Sequence, residues 1–362
     1  MNKINILIAN DSQVLIALLC AIVETESNFV IAGTAQDGKQ AVQMAANLLP
    51  DLILMDIHMP RMNGVEAVKI IMETRPKTKI LITSATINRN MSLIFDALKY
   101  GAIDYLRTPS LNKPPGTRID IKTLKRVGAG LLKKINTVLQ IQNYKQIKIQ
   151  QKEITNTIIH KYNDPVKIKR SPMIAIGCST GGPTTLVLLL NSLSKPVSGP
   201  IIICQHIDPG FDENFASWLE QETGFKTIIP DSRTKIYPNC IYIAPAGRNL
   251  IIEDKGFYIE RPLPDQIYTP NINKTFKSIA KVCSSSVCGI ILTGMGDDGA
   301  QGLKEIKDNG GYVLVQNDET AIVESMPLSA RKLSCIANGY SPESLGLLAG
   351  EWIKKKYKNG NF

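Results

Sequence analysis

The chain has 362 residues, 44% of them hydrophobic, and a formal net charge of +10. That length exceeds one ordinary domain and suits two, each able to bury a core. No apolar run approaches the roughly 18 residues of a membrane-spanning helix, and the N-terminal MNKINILIAN lacks a signal-peptide layout.

The seven cysteines are scattered, with no CxxC pair. They exclude a disulfide framework or a structural zinc site and point to reduced thiols in a cytoplasm. The charge is local: residues 111–170 hold 14 Lys/Arg against 3 Asp/Glu, which leaves the rest of the chain at −1. We read this stretch as a solvated linker and helix face. Nucleic-acid binding is the competing reading, but no motif supports it and the only aromatics are Tyr144 and Tyr162.

In chain order, INILIAN (4–10) predicts a strand. Residues 12–25 predict a helix, with Ser12 able to cap and a stripe of Val14, Leu15, Leu18, Leu19, Ile22 and Val23. FVIAGTA, DLILMD (51–56), KILITSA and AIDYLRTP follow as strands, separated by helices in GKQAVQMAANL, GVEAVKIIMETR and MSLIFDALKYG. Strands alternating with such helices imply a parallel sheet covered on both faces. One more helix fits residues 120–141, and 142–170 reads as a linker, partly helical at most.

From Pro172 the same alternation resumes. MIAIG, PIIICQH, KTIIP, IYIAP and GIILTG are strand candidates, and GPTTLVLLLNSL, ENFASWLEQET, NKTFKSIAKV and AQGLKEIKDNG are helix candidates. The expected fold class is therefore α/β, with two doubly wound parallel-sheet domains: residues 1–141, then the linker, then 171–362.

The second segment carries the chemistry. Gly177-Cys178-Ser179-Thr180-Gly181 satisfies G-x-S-x-G, the pattern of a nucleophile on a strand-to-helix turn. Taken alone, Ser179 could equally cap the following helix. A serine nucleophile needs a base, and of the three histidines only His206 shares its segment, just past a strand end. The imidazole needs a carboxylate in turn, and GIILTGMGDDGAQGL supplies Asp297 and Asp298 at another strand end. Gly294, Gly296 and Gly299 would leave backbone N–H groups for a developing oxyanion. Helix capping by the aspartate pair is the plainer alternative. The order Ser, His, Asp is not that of the α/β-hydrolases.

IGCSTGGP, QHIDPGF, YIAPAGRNL and ILTGMGDDGAQGL together resemble the signature blocks of the chemotaxis protein-glutamate methylesterases, the CheB family. PDLILMDIHMPRMNGVEAV and GAIDYL resemble response-regulator receivers, which form the N-terminal half of that family. The resemblance covers nearly the whole chain except the linker. It implies a flavodoxin-like receiver followed by a methylesterase domain, with Ser179 as nucleophile, His206 as base and Asp298 as orienting acid. Thr180 would stand beside the nucleophile, and the Met295 backbone near the oxyanion. No cofactor is expected for hydrolysis. The substrate would be glutamate methyl esters, and by the same mechanism glutamines, on methyl-accepting chemoreceptors. A regulatory binding protein with a repurposed hydrolase fold is the alternative.

The match has departures. The family often shows NRHRP before a P-S-V-D helix entrance, where this chain has LPDQIYTPNIN, with Asn271 and Asn273 at the Ser and Asp places. The usual C-V-V-Y/F-G-M-P stands as AIVESMP. Both stretches are expected to lie near the substrate. In the receiver, the resemblance makes Asp56 the phosphorylation site, fed by a chemotaxis histidine kinase. Asp11 and Asp56 would bind Mg²⁺, with Thr83 and Tyr105 as switch residues. The expected acidic pair is Asn10-Asp11, so one charge is missing and only the Asn10 carbonyl oxygen could coordinate. Thr108 stands where a lysine is expected, with Arg107 on the opposite face of the strand.

Overall fold

The protein is described here from a computed structural model covering residues 3–85, 87–111, 119–141, 165–166, 168–169 and 171–359. The chain divides into two compact units, residues 1–148 and 149–362.

The first unit runs β1 (Ile4–Ala9), α1 (Gln13–Val23), β2 (Phe29–Ala35), α2 (Gly38–Leu48), β3 (Leu52–Asp56), α3 (Gly64–Thr74), β4 (Lys79–Ser84), α4 (Ile87–Lys99), β5 (Asp104–Arg107) and α5 (Ile121–Leu139). Its sheet is parallel, in the order β2-β1-β3-β4-β5, the flavodoxin-like arrangement. Local chemistry sets the helix starts: Ser12 accepts from Leu15 N–H, Asp37 from Gln40 N–H, and Asn63 forms a capping box with Glu66. β3 is buried along its whole length, as a central strand covered on both faces requires. The buried stripe of α1 is Ile16, Leu19, Ile22 and Val23, while Val14 is 73% exposed. The helix is thus turned by about one position from the sequence reading, because α1 and α5 pack together and Gly128 of α5 closes on Ile22.

The second unit runs β6 (Met173–Cys178), α6 (Gly182–Ser192), β7 (Ile201–Gln205), α7 (Asp212–Thr223), β8 (Lys226–Ile228), β9 (Cys240–Ile243), β10 (Asn249–Glu253), β11 (Gly256–Glu260), α8 (Ile272–Cys283), β12 (Val287–Ile291), α9 (Ala300–Asp308), β13 (Tyr312–Val315), α10 (Ser325–Ser334) and α11 (Pro342–Asn359). Its parallel six-stranded sheet has the order β13-β12-β6-β7-β9-β8, and β10 and β11 form a separate antiparallel hairpin. Both units are thus the parallel-sheet α/β units expected.

The order of the large sheet positions the site. The chain leaves β6 toward β7 on one side, then returns to add β12 on the other, so β6 lies at a switch point where the crevice beyond the strand ends opens. Most of the expected linker lies outside the described residues. Of its last residues, Val166 N–H donates to Ile236 O (2.8 Å) and Ile168 is buried in the core of the second unit. That end of the segment is part of the second unit's packing, not a spacer, since burial takes the two apolar residues out of a charged run. No helix among the described residues is long and apolar enough to cross a membrane.

Candidate active site

β12, β6 and β7 are adjacent, and the residues following each converge. Ser179 follows β6, with its N–H on Thr293 O (3.0 Å) and its carbonyl accepting from Gln205 Nε2 (2.9 Å). Gln205 is buried, and the same Nε2 donates to His206 O (2.9 Å). One side chain therefore ties together the backbones that carry the serine and the histidine. Gly181, the N-cap of α6, has φ +76°, a left-handed conformation that favours glycine. A Cβ at this position would also lie 2.7 Å from Ile322.

His206 Nδ1 lies 3.2 Å from Ser179 Oγ, and His206 Nε2 lies 2.8 Å from Asp298 Oδ2. Asp298 is 1% exposed and also accepts from Ile272 N–H (2.8 Å) and Asn273 N–H (2.9 Å). An ionised carboxylate only accepts, so it holds the proton of the neutral imidazole on Nε2. The Nδ1 lone pair is then left facing the serine. The two ring nitrogens are exchanged relative to the serine-protease arrangement, and the arrangement offers the same path for a proton from hydroxyl to imidazole. Asp297, its neighbour, is exposed.

The capping alternatives resolve in a specific way. α6 has no side-chain cap, and the Ser179 hydroxyl faces His206 instead. α9 has no side-chain cap either, whereas Asp298 takes two N–H groups at the start of α8. Asp298 therefore does capping work, on a different helix from the one that follows it in sequence.

The glycine-rich turn departs from expectation. Gly294 N–H donates to Val323 O (2.9 Å) and Gly296 N–H to Ser325 Oγ (3.0 Å). Neither is available to an oxyanion, because the turn spends them on anchoring residues 323–326. The turn nevertheless lies against the serine: a Cβ on Gly294 would sit 2.7 Å from Ser179 Cβ. Met295 lies in this turn, and Thr180, buried, stands at the positive N-terminal end of α6. Thr180 O also accepts from the Thr293 hydroxyl at 3.0 Å.

Asn271 and Asn273, expected near substrate, are committed to backbone. Asn271 caps α8 through Lys274 N–H (2.8 Å), and Asn273 Oδ1 accepts from Gly302 N–H (2.7 Å), tying α8 to α9. The sequence reading did not single out Tyr268, whose ring stacks on His206, or Asn249, a fully buried amide at the start of β10. An aromatic in the loop before α8 gave no periodic signal by which to find it.

In the first unit, Asn10, Asp56, Thr83 and Thr108 are buried at the ends of β1, β3, β4 and β5, while Asp11 is exposed. Asn10 Nδ2 donates to Asp56 Oδ2 (3.0 Å), and Asn10 Oδ1 accepts from Ser12 N–H (2.8 Å). In this arrangement the amide turns its donor toward Asp56. The hydroxyls of Thr83, Ser84 and Thr108 are buried without a hydrogen-bond partner. Tyr105 is buried edge-on to Phe95, with Lys134 Nζ 5.8 Å from its ring centre.

Burial, and then the Asp11 charge, push the Asp56 carboxyl up to about 6, against N–H groups of Ile57 and His58 that pull it down. Mg²⁺ is commonly held by one or two carboxylates and several waters. Asp11 and Asp56 fit that donor set, and a cation would relieve the repulsion that raises Asp56. Without metal, the folded unit keeps a proton on Asp56 between about pH 4 and 6 that the unfolded chain has released. Stability therefore rises as pH falls through 6 toward 4, by on the order of 2 to 3 kcal/mol. Denaturant unfolding in chelator-treated buffer should show this slope for the natural protein and lose it in Asp56→Asn; equal slopes would refute it.

The CheB methylesterase family model matches residues 174–347, and the response regulator receiver domain model matches residues 6–113. A protein-glutamate methylesterase/protein-glutamine glutaminase of Caldanaerobacter subterraneus subsp. tengcongensis is 33% identical over 342 residues, spanning 91% of this chain and 90% of the relative. The like-named protein of Nitrosospira multiformis is 30% identical over 333 residues, spanning 91% of each. Among solved structures, the Thermotoga maritima CheB methylesterase catalytic domain is 26% identical, covering 50% of this chain and 98% of that one, with a TM-score of 0.46. With a receiver match, a methylesterase match and relatives of this identity along nearly its whole length, the chain belongs to the CheB methylesterase family and is a methylesterase that carries an N-terminal response-regulator receiver.

Proposed function

We propose that the enzyme hydrolyses glutamate methyl esters on methyl-accepting chemoreceptors, with Ser179 as nucleophile, His206 as general base and acid, and Asp298 as the orienting carboxylate. The observation that carries this reading is the relay from Ser179 Oγ through both His206 nitrogens to a buried Asp298. Ser179 Oγ attacks the ester carbonyl carbon while its proton passes to Nδ1 of His206. Asp298 stabilises the imidazolium, which then gives the proton to the departing methoxide, releasing methanol. Water, deprotonated by the same nitrogen, attacks the acyl-serine and releases glutamate. With a glutamine side chain, ammonia leaves in place of methanol. Thr180 and the Met295 backbone would flank the nucleophile near the oxyanion. Methanol release from methylated receptor, natural protein against Ser179→Ala, tests the assignment.

The receiver spans 1–141 in this reading and the catalytic domain 171–362, in a cytoplasmic protein; the linker 142–170 joins them, with its last apolar residues, Val166 and Ile168, packed on the catalytic domain. A chemotaxis histidine kinase would phosphorylate Asp56. Receivers use Mg²⁺ for phosphorylation, and here Asp11 and Asp56 would hold it, the metal neutralising charge during phosphoryl transfer. Thr83 and Thr108, with buried hydroxyls lacking partners, would donate neutral hydrogen bonds to the phosphoryl oxygens, and Tyr105 would follow the switch. A charge-assisted contact is roughly twice as strong as a neutral one, so phospho-activation should be weak. The double change Asn10→Asp plus Thr108→Lys should increase Mg²⁺ affinity and the stimulation of esterase rate by a small phosphodonor. Strong stimulation of the natural protein would defeat this expectation and point to Arg107 in the lysine's place.

A further inference from the structure

Two hydrogen bonds at opposite nitrogens hold the His206 ring along one line. Rocking about that line changes neither distance much, so the hydrogen bonds alone leave the ring plane poorly defined. A productive base needs that plane, because its lone pair must point at the serine proton.

The Tyr268 ring supplies the missing restraint. It lies parallel to the imidazole, with 7° between the planes and 5.0 Å between ring centres, an offset-stacked geometry. Its hydroxyl end abuts the glycine-rich turn: a Cβ on Gly296 would lie 2.4 Å from Tyr268 Oη, so the ring is wedged between that turn and His206. Its backbone end is anchored too. Gln266 Nε2 donates to Tyr268 O (2.6 Å) and to Asn249 Oδ1 (2.8 Å), while Asn249 Nδ2 donates back to Gln266 Oε1 (2.9 Å). Asn249 is fully buried, and its remaining capacity goes to Glu260 Oε2 (2.8 Å) and Asn271 N–H (3.1 Å). The same amide thus fixes both the loop bearing Tyr268 and the first residue of the α8 cap, next to the N–H groups that hold Asp298. Burial, with the charges of Asp297 and Asp298, pushes the Tyr268 phenol upward, so it stays neutral beside the base.

We infer that Tyr268, anchored by the Asn249–Gln266 amide pair, is a positioning residue that fixes the plane of the His206 ring. The inference rests on His206 being the base of the proposed reaction. The aromatic face does the work, and the hydroxyl is dispensable to it.

The test uses the full-length chain with methylated receptor as substrate, following methanol release for Tyr268→Ala, Tyr268→Phe, Gln266→Ala and Ser179→Ala. Tyr268→Ala should lower kcat by about 10- to 100-fold with KM within about threefold. Tyr268→Phe should bring kcat back to within about threefold of the natural value. Gln266→Ala, with the ring present but its anchor cut, should lose kcat to an intermediate degree. Diethyl pyrocarbonate should acylate His206 faster in Tyr268→Ala, read by peptide mass spectrometry independently of turnover.

An unchanged kcat in Tyr268→Ala, a loss confined to KM, or equal losses in the Phe and Ala variants would overturn the inference. If Tyr268→Ala does not fold, Gln266→Ala decides: an unchanged kcat there overturns it. Ser179→Ala separates the two failures. An active Ser179→Ala rejects the proposed relay itself, whereas an inactive Ser179→Ala beside a fully active Tyr268→Ala rejects only the role of Tyr268.

Discussion

Replacing Ser179 by alanine is expected to reduce methanol release by about 10³-fold or more, the loss typical of a member of a relay that acts as a unit. The fold should survive. The backbone of residue 179 keeps its bonds to Thr293 O, Gln205 Nε2 and Gly182 N–H, and none of these needs the hydroxyl. The side chain gives up only its contact with His206 Nδ1. α6 should be unaffected, because its N-cap is Gly181 and no side chain caps it. Methanol release and the thermal midpoint, measured together, check both halves. Retention of most activity would reject Ser179 as nucleophile.

Asp298→Asn should lose up to about 10⁴-fold by the serine-protease precedent, whereas Asp297→Asn should stay within a few-fold. Asp298 accepts three N–H groups: Oδ2 takes His206 Nε2 and Ile272 N, and Oδ1 takes Asn273 N. An asparagine offers one oxygen and one NH₂, so one side must set donor against donor. With the NH₂ toward His206, the ring is driven to the tautomer protonated at Nδ1, and its lone pair no longer faces Ser179. With the NH₂ toward Asn273, the tautomer survives but a part-buried N–H at the start of α8 loses its acceptor, costing on the order of 1 kcal/mol. The variant should therefore be both slower and less stable. Asp297 is exposed, and its backbone carbonyl, which accepts from Ala300 N–H (3.1 Å), is untouched by the change. A larger loss in Asp297→Asn would place the orienting carboxylate one residue earlier.

The prediction for Asn10 and Thr108 tests a different link, from sequence to regulation. Asn10 spends its NH₂ on Asp56, so the natural receiver already satisfies part of the acceptor carboxylate without metal. Restoring an acid there replaces a hydrogen-bond donor by a charge, which favours a cation over the bare pair.

Much of the architecture was legible in the sequence because it depends on near neighbours. Apolar runs of four to six residues ending at turn residues became β1, β3, β6, β7 and β12, since a strand buried on both faces needs only continuous apolar side chains. Ser12 announced the start of α1 because a cap acts over three residues. Where local signals were weak, the reading lacked elements. The β10–β11 hairpin, β13, α10 and α11 were not named; α10 carries Pro327 near its start and α11 includes Gly346 and Gly350. These helices owe their stability to packing, with Gly346 closing to the Leu189 carbonyl of α6, which no local pattern reports.

The sequence by itself determined the residue types of the site, a serine on a G-x-S-x-G turn, one histidine in the same 171–362 segment and an aspartate pair, because chemistry restricts which side chains can serve. Only the tertiary structure decided how they combine. Parallel pairing of β12 with β6 brings residues more than a hundred positions apart to one edge, and that pairing buries Asp298 while leaving Asp297 in solvent. The packing of distant segments also commits the N–H groups of Gly294 and Gly296, turns Asn273 onto the Gly302 backbone, and lays Tyr268 on the imidazole. Each of these depends on which hydrogen-bond partner is within about 3 Å, a quantity set by how distant segments pack.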